Sequence, residues 1–150
     1  MRRATAEDQS VIRQLVRAAR LNPAGLAWPG FVVAEQDGRL VGAVQLRRHP
    51  DDALELASLV VEPEARGAGV ATSMVDALLE RETGIVYTII DRRFARHFVR
   101  WGFAPAAPAE LPRSIRRTVR IGRIVTGIAT TFRRPRIRLV ALARPAVPRV

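Results

Sequence analysis

The stretch Val60-Val61-Glu62-Pro63-Glu64-Ala65-Arg66-Gly67-Ala68-Gly69-Val70-Ala71-Thr72 constrains this chain more than any other. It reads as the end of an apolar strand, a short acidic turn and an Arg-Gly-x-Gly loop. An amphipathic run, Ala71 to Leu79, follows directly. A strand feeding a glycine loop that opens into a helix is a recurrent way to hold phosphate. The glycines let the backbone approach, and the first-turn N–H groups of the helix have no intrahelical partners. The same residues also serve merely to shape a turn, with Arg66 as a solvated cation. The rest of the chain decides between the two.

Around that stretch the pattern alternates strands with helices. Arg2-Arg3-Ala4 fits a short first strand, and Thr5 with Asp8 makes a capping-box-like pair at the start of a helix. Val11, Ile12, Leu15, Val16 and Ala19 give that helix one buried face. Pro23 to Gly30 is a loop in which Leu26 and Trp28 are expected as buried anchors. Residues 31–35 and 40–46 flank Gln36-Asp37-Gly38-Arg39, a strong hairpin signal. After Pro50-Asp51-Asp52, residues 53–62 form a strand apolar on both faces, hence central in a sheet.

The spacing predicts a helix over 69–82 with Val70, Met74, Ala77 and Leu78 inward. A buried strand over 85–90 follows, expected parallel to the 53–62 strand across a right-handed crossover. Residues 91–100 form a short helix with Phe94, Phe98 and Trp101 on its apolar side, leading into Gly102-Phe103. Residues 112–131 are either a basic helix with Ile115, Val119 and Gly122 or Arg123 inward, or a β-rich segment. Residues 136–144 are the final strand. The expectation is a single domain over 1–150, with 112–135 as its basic C-terminal segment.

Composition bounds the chemistry. There is no cysteine, so no disulfide framework and no thiol nucleophile. The two histidines, His49 and His97, lack the carboxylate spacing of a metal site, so no metal is expected. No run of 18 apolar residues reads as a membrane span, and no apolar segment after the N-terminus reads as a signal peptide, so a cytoplasmic location is expected. All 25 basic residues are arginine, in keeping with a GC-rich coding bias. Their placement is uneven: residues 1–91 carry 10 Arg against 13 acids, residues 92–150 carry 15 Arg against one Glu. The C-terminal part therefore faces something anionic, such as a phosphorylated cofactor, nucleic acid or acidic lipid.

The order strand, helix, hairpin, central strand, Arg-Gly-x-Gly helix, strand, short helix, Gly-Phe resembles the GNAT superfamily of acetyl-CoA-dependent N-acetyltransferases. Two motifs carry the likeness. One is that family's Arg/Gln-x-x-Gly-x-Gly/Ala loop, here Arg66 to Ala71 behind Val61-Glu62-Pro63. The other is Asn-x-x-Ala-x-x-x-Tyr-x-Lys/Arg-x-Gly-Phe, which falls on Asp91, Phe94, Phe98, Arg100 and Gly102-Phe103. The resemblance covers about residues 3–103 and the closing strand. It implies an α/β (α+β) fold: a mixed, mostly antiparallel twisted sheet, helices on both faces, and a parallel pair splayed around the CoA site.

The resemblance also implies acetyl-CoA as co-substrate. Arg66, Gly67, Ala68, Gly69, Val70, Ala71 and Thr72 would hold the pyrophosphate, and the backbones of Leu59, Val60 and Val61 would pair with the pantetheine amides. Asp91 and Phe98 would also line the cofactor. Phe98 stands where many members have an acidic tyrosine, and Asp91 where an asparagine is usual. Leu111-Pro112 is similar to a step in glutamate-acetylating amino-acid N-acetyltransferases.

An amine must attack in neutral form. A lysine-type ammonium costs about 4.6 kcal/mol to deprotonate at pH 7, an α-amine far less. Glu55, the one charge inside the central strand and sharing side-chain parity with Leu59 and Val61, is the candidate base. Its competing role is an ion pair with Arg47 or Arg48. Tyr87, the only tyrosine, is the candidate acid, or else packing. The expected function is acetyl transfer to a primary amine of a small molecule, with an amino acid among the candidate acceptors, by direct attack in a ternary complex. The alternative is a catalytically weakened acyl-CoA-binding fold whose Arg-rich tail, with only Phe132 for base stacking, binds nucleic acid. A homodimer is left open.

Overall fold

In the computed structural model, which describes residues 1–129 and 137–147, the Asp37-Gly38 turn forms where the sequence puts it. Both residues lie at positive φ, 52° and 73°, the conformation of a two-residue turn whose twist matches its strands. It joins β2 (Phe31–Gln36) to β3 (Arg39–Arg48) in antiparallel register, Val33 opposite Ala43, and β1 (Arg2–Arg3) pairs antiparallel on the outer side of β2. The chain gathers into two compact units, Met1–Arg47 with Leu56–Glu82, and Arg48–Glu55 with the chain from Thr83 onward.

In the first unit the strand order is β1-β2-β3, then β4 (Leu54–Val61), whose end is tied to β3 by the Glu62 N–H donating to the Val41 carbonyl at 2.8 Å. Helix α1 (Gln9–Ala18) buries Ile12, Leu15 and Val16 against Leu26, Phe31, Val33, Leu40, Ala43 and Val60. Its first turn differs from the expected continuous helix, since Ala6–Asp8 is a 3-10 turn. The Asp8 carboxylate accepts from the Thr5 N–H at 2.7 Å and from both Arg2 guanidinium nitrogens at 2.7 and 3.0 Å. The Arg2 hydrogen bonds foremost hold it at about 2. Trp28 is not a buried anchor. It stands 36% exposed on a 3-10 turn, its N–H bound by the Gln9 side chain, so Leu26 alone plugs the loop.

Helix α2 (Val70–Leu79) buries Met74, Val75 and Leu79, with Ala77 exposed, a face displaced from the expected one. Positions 71, 74, 75, 78 and 79 lie along one side at helical spacing, and Ala77 falls outside that arc. Its packing on the sheet is close at Gly42. A Cβ added there would stand 2.9 Å from Met74 Cε and 3.0 Å from the Val60 carbonyl oxygen.

In the second unit β5 (Val86–Asp91), β7 (Leu139–Arg144) and β6 (Ala104–Pro105) lie in the order β5-β7-β6, both pairings antiparallel. Helix α4 (Arg113–Ala129) decides the segment left open by the sequence: it is helical, with Ile115 and Val119 packed on Ala53, Leu111 and Ala141. Arg123 is exposed, its Nη2 donating to the Leu139 carbonyl at 3.2 Å. The Asp51 carboxylate caps the helix from afar, accepting the Ser114 N–H at 3.0 Å and hydroxyl at 2.6 Å, which holds it below the usual carboxylate range. Residues 130–136, including Phe132, Arg136 and the ends of the expected 112–131 and 112–135 segments, lie outside the described residues.

The expected helix over 91–100 is three short pieces: a 3-10 turn Arg92–Phe94, α3 (Ala95–Phe98) and a 3-10 turn Val99–Trp101. The change of helical pitch separates Phe94 from Phe98. Phe98 is buried, edge-on to Trp101 and Phe103 at 5.5 and 5.8 Å between ring centres, while Phe94 is 52% exposed under the Arg93 guanidinium.

Candidate functional site

The loop between β4 and α2 is built by its own backbone. Pro63–Ala65 forms a 3-10 turn, closed by the Ala65 and Arg66 N–H groups donating to the Glu62 and Pro63 carbonyls. Gly67 and Gly69 both sit at positive φ, 83° and 76°, where a Cβ costs about 1–2 kcal/mol. A Cβ at either would meet nothing within 4 Å, so backbone conformation, not crowding, requires glycine, and the space before the loop is open. The Ser73 N–H donating to the Gly69 carbonyl at 3.0 Å is an early helical bond of α2. The N–H groups of Val70 and Ala71 are therefore first-turn donors at the positive end of the helix, the arrangement that receives an anion. Arg66 does not simply extend into solvent. Its Nε donates to the Val61 carbonyl at 3.0 Å, bracing the loop against the end of β4.

Leu59, Val60 and Val61 lead into this loop, with Val60 and Val61 both buried. The side-chain parity expected from Glu55 to Leu59 and Val61 does not hold through the strand. Ser58 lies at φ 55°, a left-handed residue that breaks the alternation, and buried residues come in adjacent pairs on each side of it. Nothing in the sequence marks a serine for that conformation.

In the second unit Glu55 is 4% exposed, and its Oε2 is 2.7 Å from His49 Nε2. His49, which the sequence presents only as one of two histidines without a metal-site spacing, is a partner of Glu55 that periodicity does not show. The signal was the turn: the His49 N–H donates to the Ala53 carbonyl at 2.9 Å, folding the chain so that residues before and after Pro50-Asp51-Asp52 face each other. Arg48 pairs with Asp52 at 3.5 Å, and Arg47 Nη2 donates to the Ala24 carbonyl at 2.7 Å.

Tyr87 lies on β5, half-buried against the cluster of Leu111, Ile115 and Val119. Burial, then the charges of Asp51 and Glu110, push its phenol up, so it stays protonated. Asp91 ends β5 and is committed to the turn it starts, accepting from the Arg93 N–H at 3.0 Å and guanidinium at 2.8 Å. Burial works to raise its carboxyl, but Arg93 outweighs it and holds the group low, leaving an acceptor without a proton to give. Phe98 contributes only an aromatic surface. The loop residues 66–72 and the strand residues 59–61 are thus contiguous in the first unit, while Glu55, Tyr87, Asp91 and Phe98 belong to the second. Among the described residues no group of three His, Cys, Asp or Glu could hold a metal ion, and no helix is long and apolar enough to cross a membrane.

A model of the acetyltransferase (GNAT) family matches residues 4–103. No curated protein matches the chain. Among solved structures, N-acetylglutamate synthase from Neisseria gonorrhoeae, complexed with coenzyme A and N-acetyl-glutamate, aligns at TM-score 0.74 and 20% identity, over 99% of this chain and 35% of that one. This chain thus spans about a third of that protein's length. Rv2747 from Mycobacterium tuberculosis, in complex with CoA and NLQ, aligns at 0.69 and 23% identity, over 98% of each chain. Diaminobutyrate acetyltransferase EctA from Paenibacillus lautus, with its substrate L-2,4-diaminobutyric acid and coenzyme A, aligns at 0.63 and 16% identity, over 99% of this chain and 96% of that one. These likenesses are of fold.

Proposed function

The chain belongs to the acetyltransferase (GNAT) family, and from that premise we propose that it transfers the acetyl group of acetyl-CoA to a primary amine of a small molecule, an amino acid being the first class to test, by direct attack in a ternary complex in the cytoplasm. The observation that carries the cofactor half is the Arg66–Thr72 loop, with two left-handed glycines, open space before them and first-turn donors of α2 behind them. An anionic diphosphate suits that donor set. Arg66 supports it by holding the loop to the Val61 carbonyl, and Leu59, Val60 and Val61 would offer backbone groups to the cofactor's amide arm. The acetyl thioester supplies an electrophilic carbonyl.

On the acceptor side the proposal assigns Glu55 to take the proton that the ammonium must lose, directly or through water. Tyr87, kept protonated by its surroundings, is the proposed proton donor to the departing thiolate in place of the tyrosine that Phe98 does not provide. Asp91 and Phe98 would line the cofactor. The acceptor class is supported by two structural relatives of the same fold, one complexed with N-acetyl-glutamate and one with L-2,4-diaminobutyric acid.

The test is release of free CoA thiol from acetyl-CoA over a panel of amino acids, diamines and polyamines. The proposal expects release above the hydrolytic background with a subset of small amines, and an N-acetylated product of matching mass. No release above that background with any amine of the panel, and no acetylated product, would sink it.

A further inference from the structure

At the end of β5 the second unit carries a cleft of about 450 Å³ lined by Asp91, Arg92, Arg93 and Arg138. Its one carboxylate among the described residues, Asp91, is already committed. Asp91 Oδ2 accepts from Arg93 Nη2 at 2.8 Å and Nε at 3.1 Å, so Arg93 is both neutralised and fixed in orientation. That leaves Arg92 and Arg138. The Arg92 N–H donates to the Arg138 carbonyl at 2.8 Å, so the two side chains leave the backbone at neighbouring points. Both residues are exposed, and among the described residues no second acid lines the cleft. Three guanidiniums thus line one cleft with a single carboxylate among the described residues, and that excess of positive charge favours an anion.

The geometry points to an oxyanion site in which Arg92 and Arg138, beside the Asp91-oriented Arg93, grip a phosphate or carboxylate carried by one of the two reactants. The guanidinium fork matches the oxygen geometry of both groups, and a charge-assisted pair is stronger than a neutral one. The site's existence stands on the cleft alone. Only the source of the oxyanion, the 3′-phosphate of CoA or the carboxylate of an amino-acid acceptor, rests on the acetyltransferase reading.

The experiment uses the full chain, Arg92→Gln with Arg138→Gln as a double variant, and Arg116→Gln with Arg120→Gln on α4, both exposed, as a charge-matched control. Inorganic phosphate is compared with chloride at equal ionic strength by thermal shift. Phosphate should raise the Tm of the wild type and of the control, and the double variant should lose most of that rise. Equal stabilisation of all three overturns the site. The source is then read from two ratios: affinity for CoA against 3′-dephospho-CoA, and KM for an amino acid against its decarboxylated amine. The ratio belonging to the bound group should be tenfold or more in the wild type and fall to within twofold in the double variant. If both ratios are unchanged by the double variant, assignment to a reactant is wrong. Should the wild type bind no acetyl-CoA while phosphate stabilisation still depends on Arg92 and Arg138, the acetyltransferase reading fails and the site stands.

Discussion

Gly42→Val is expected to be the most damaging single substitution in the first unit. Gly42 is buried in β3, and even one added carbon would stand 3.0 Å from the Val60 carbonyl oxygen and 2.9 Å from Met74 Cε. The methionine can swing aside, because its thioether is the flexible end of a side chain. The carbonyl cannot, since it belongs to the backbone of the neighbouring strand. Valine adds two further carbons, so β3 or α2 must move. Overpacking of this kind costs about 3 kcal/mol, which for a chain of this length lowers Tm by roughly 6–12 °C. Because Met74 rides on α2, the displacement reaches the loop that starts the helix, and affinity for acetyl-CoA should fall as well. Gly38→Ala is the control: its φ is 73°, but a Cβ there would meet nothing within 4 Å, so it should cost only about 1–2 kcal/mol and leave cofactor affinity alone. Differential scanning fluorimetry separates the two.

The second large effect is expected in turnover. Glu55→Gln keeps the shape of a buried side chain and can still hydrogen-bond the His49 ring, but it cannot accept a proton at neutral pH. Loss of a positioned general base typically costs 10²–10⁴-fold, so kcat should drop by at least about 10²-fold. Affinity for acetyl-CoA should stay within about twofold, because the proposed pyrophosphate seat is the Arg66–Thr72 loop. If Glu55 serves only as a structural partner for His49, the outcome is different. The variant would then lose Tm, with kcat falling no more than the folded fraction does.

Much of the frame was legible because local chemistry agreed with the final packing. Asp37-Gly38 fixes a hairpin by dihedral preference alone, and Gly67 and Gly69 mark left-handed positions that other residues resist. Helix α1 was readable from the spacing of Ile12, Leu15 and Val16. What the sequence hid depends on contacts across space or on departures from regular geometry. α4 is rich in β-branched residues, so Ile121, Ile124 and Val125 read as strand; Ile115 and Val119, four apart, and the distant cap from Asp51 make it a helix. Ser58 breaks the alternation that placed Glu55 on the same side as Leu59, and a serine gives no warning of a left-handed turn within a strand. The His49–Glu55 pair joins side chains six residues apart across a turn, a contact that neither helix nor strand periodicity describes.

The central claim is that residues 66–72 seat the diphosphate of acetyl-CoA, and calorimetric titration of acetyl-CoA into the wild type and Gly69→Val tests it most directly. The φ of 76° at Gly69 is unfavourable for a β-branched residue by about 1–2 kcal/mol, and relieving it re-aims the first N–H groups of α2. The wild type should bind at one site with an affinity between about 1 μM and 1 mM, the usual range for enzyme substrates. Gly69→Val should bind at least about tenfold more weakly, a loss of about 1.4 kcal/mol. No heat of binding to the wild type at millimolar acetyl-CoA, or equal affinity in a folded Gly69→Val variant, would contradict the claim.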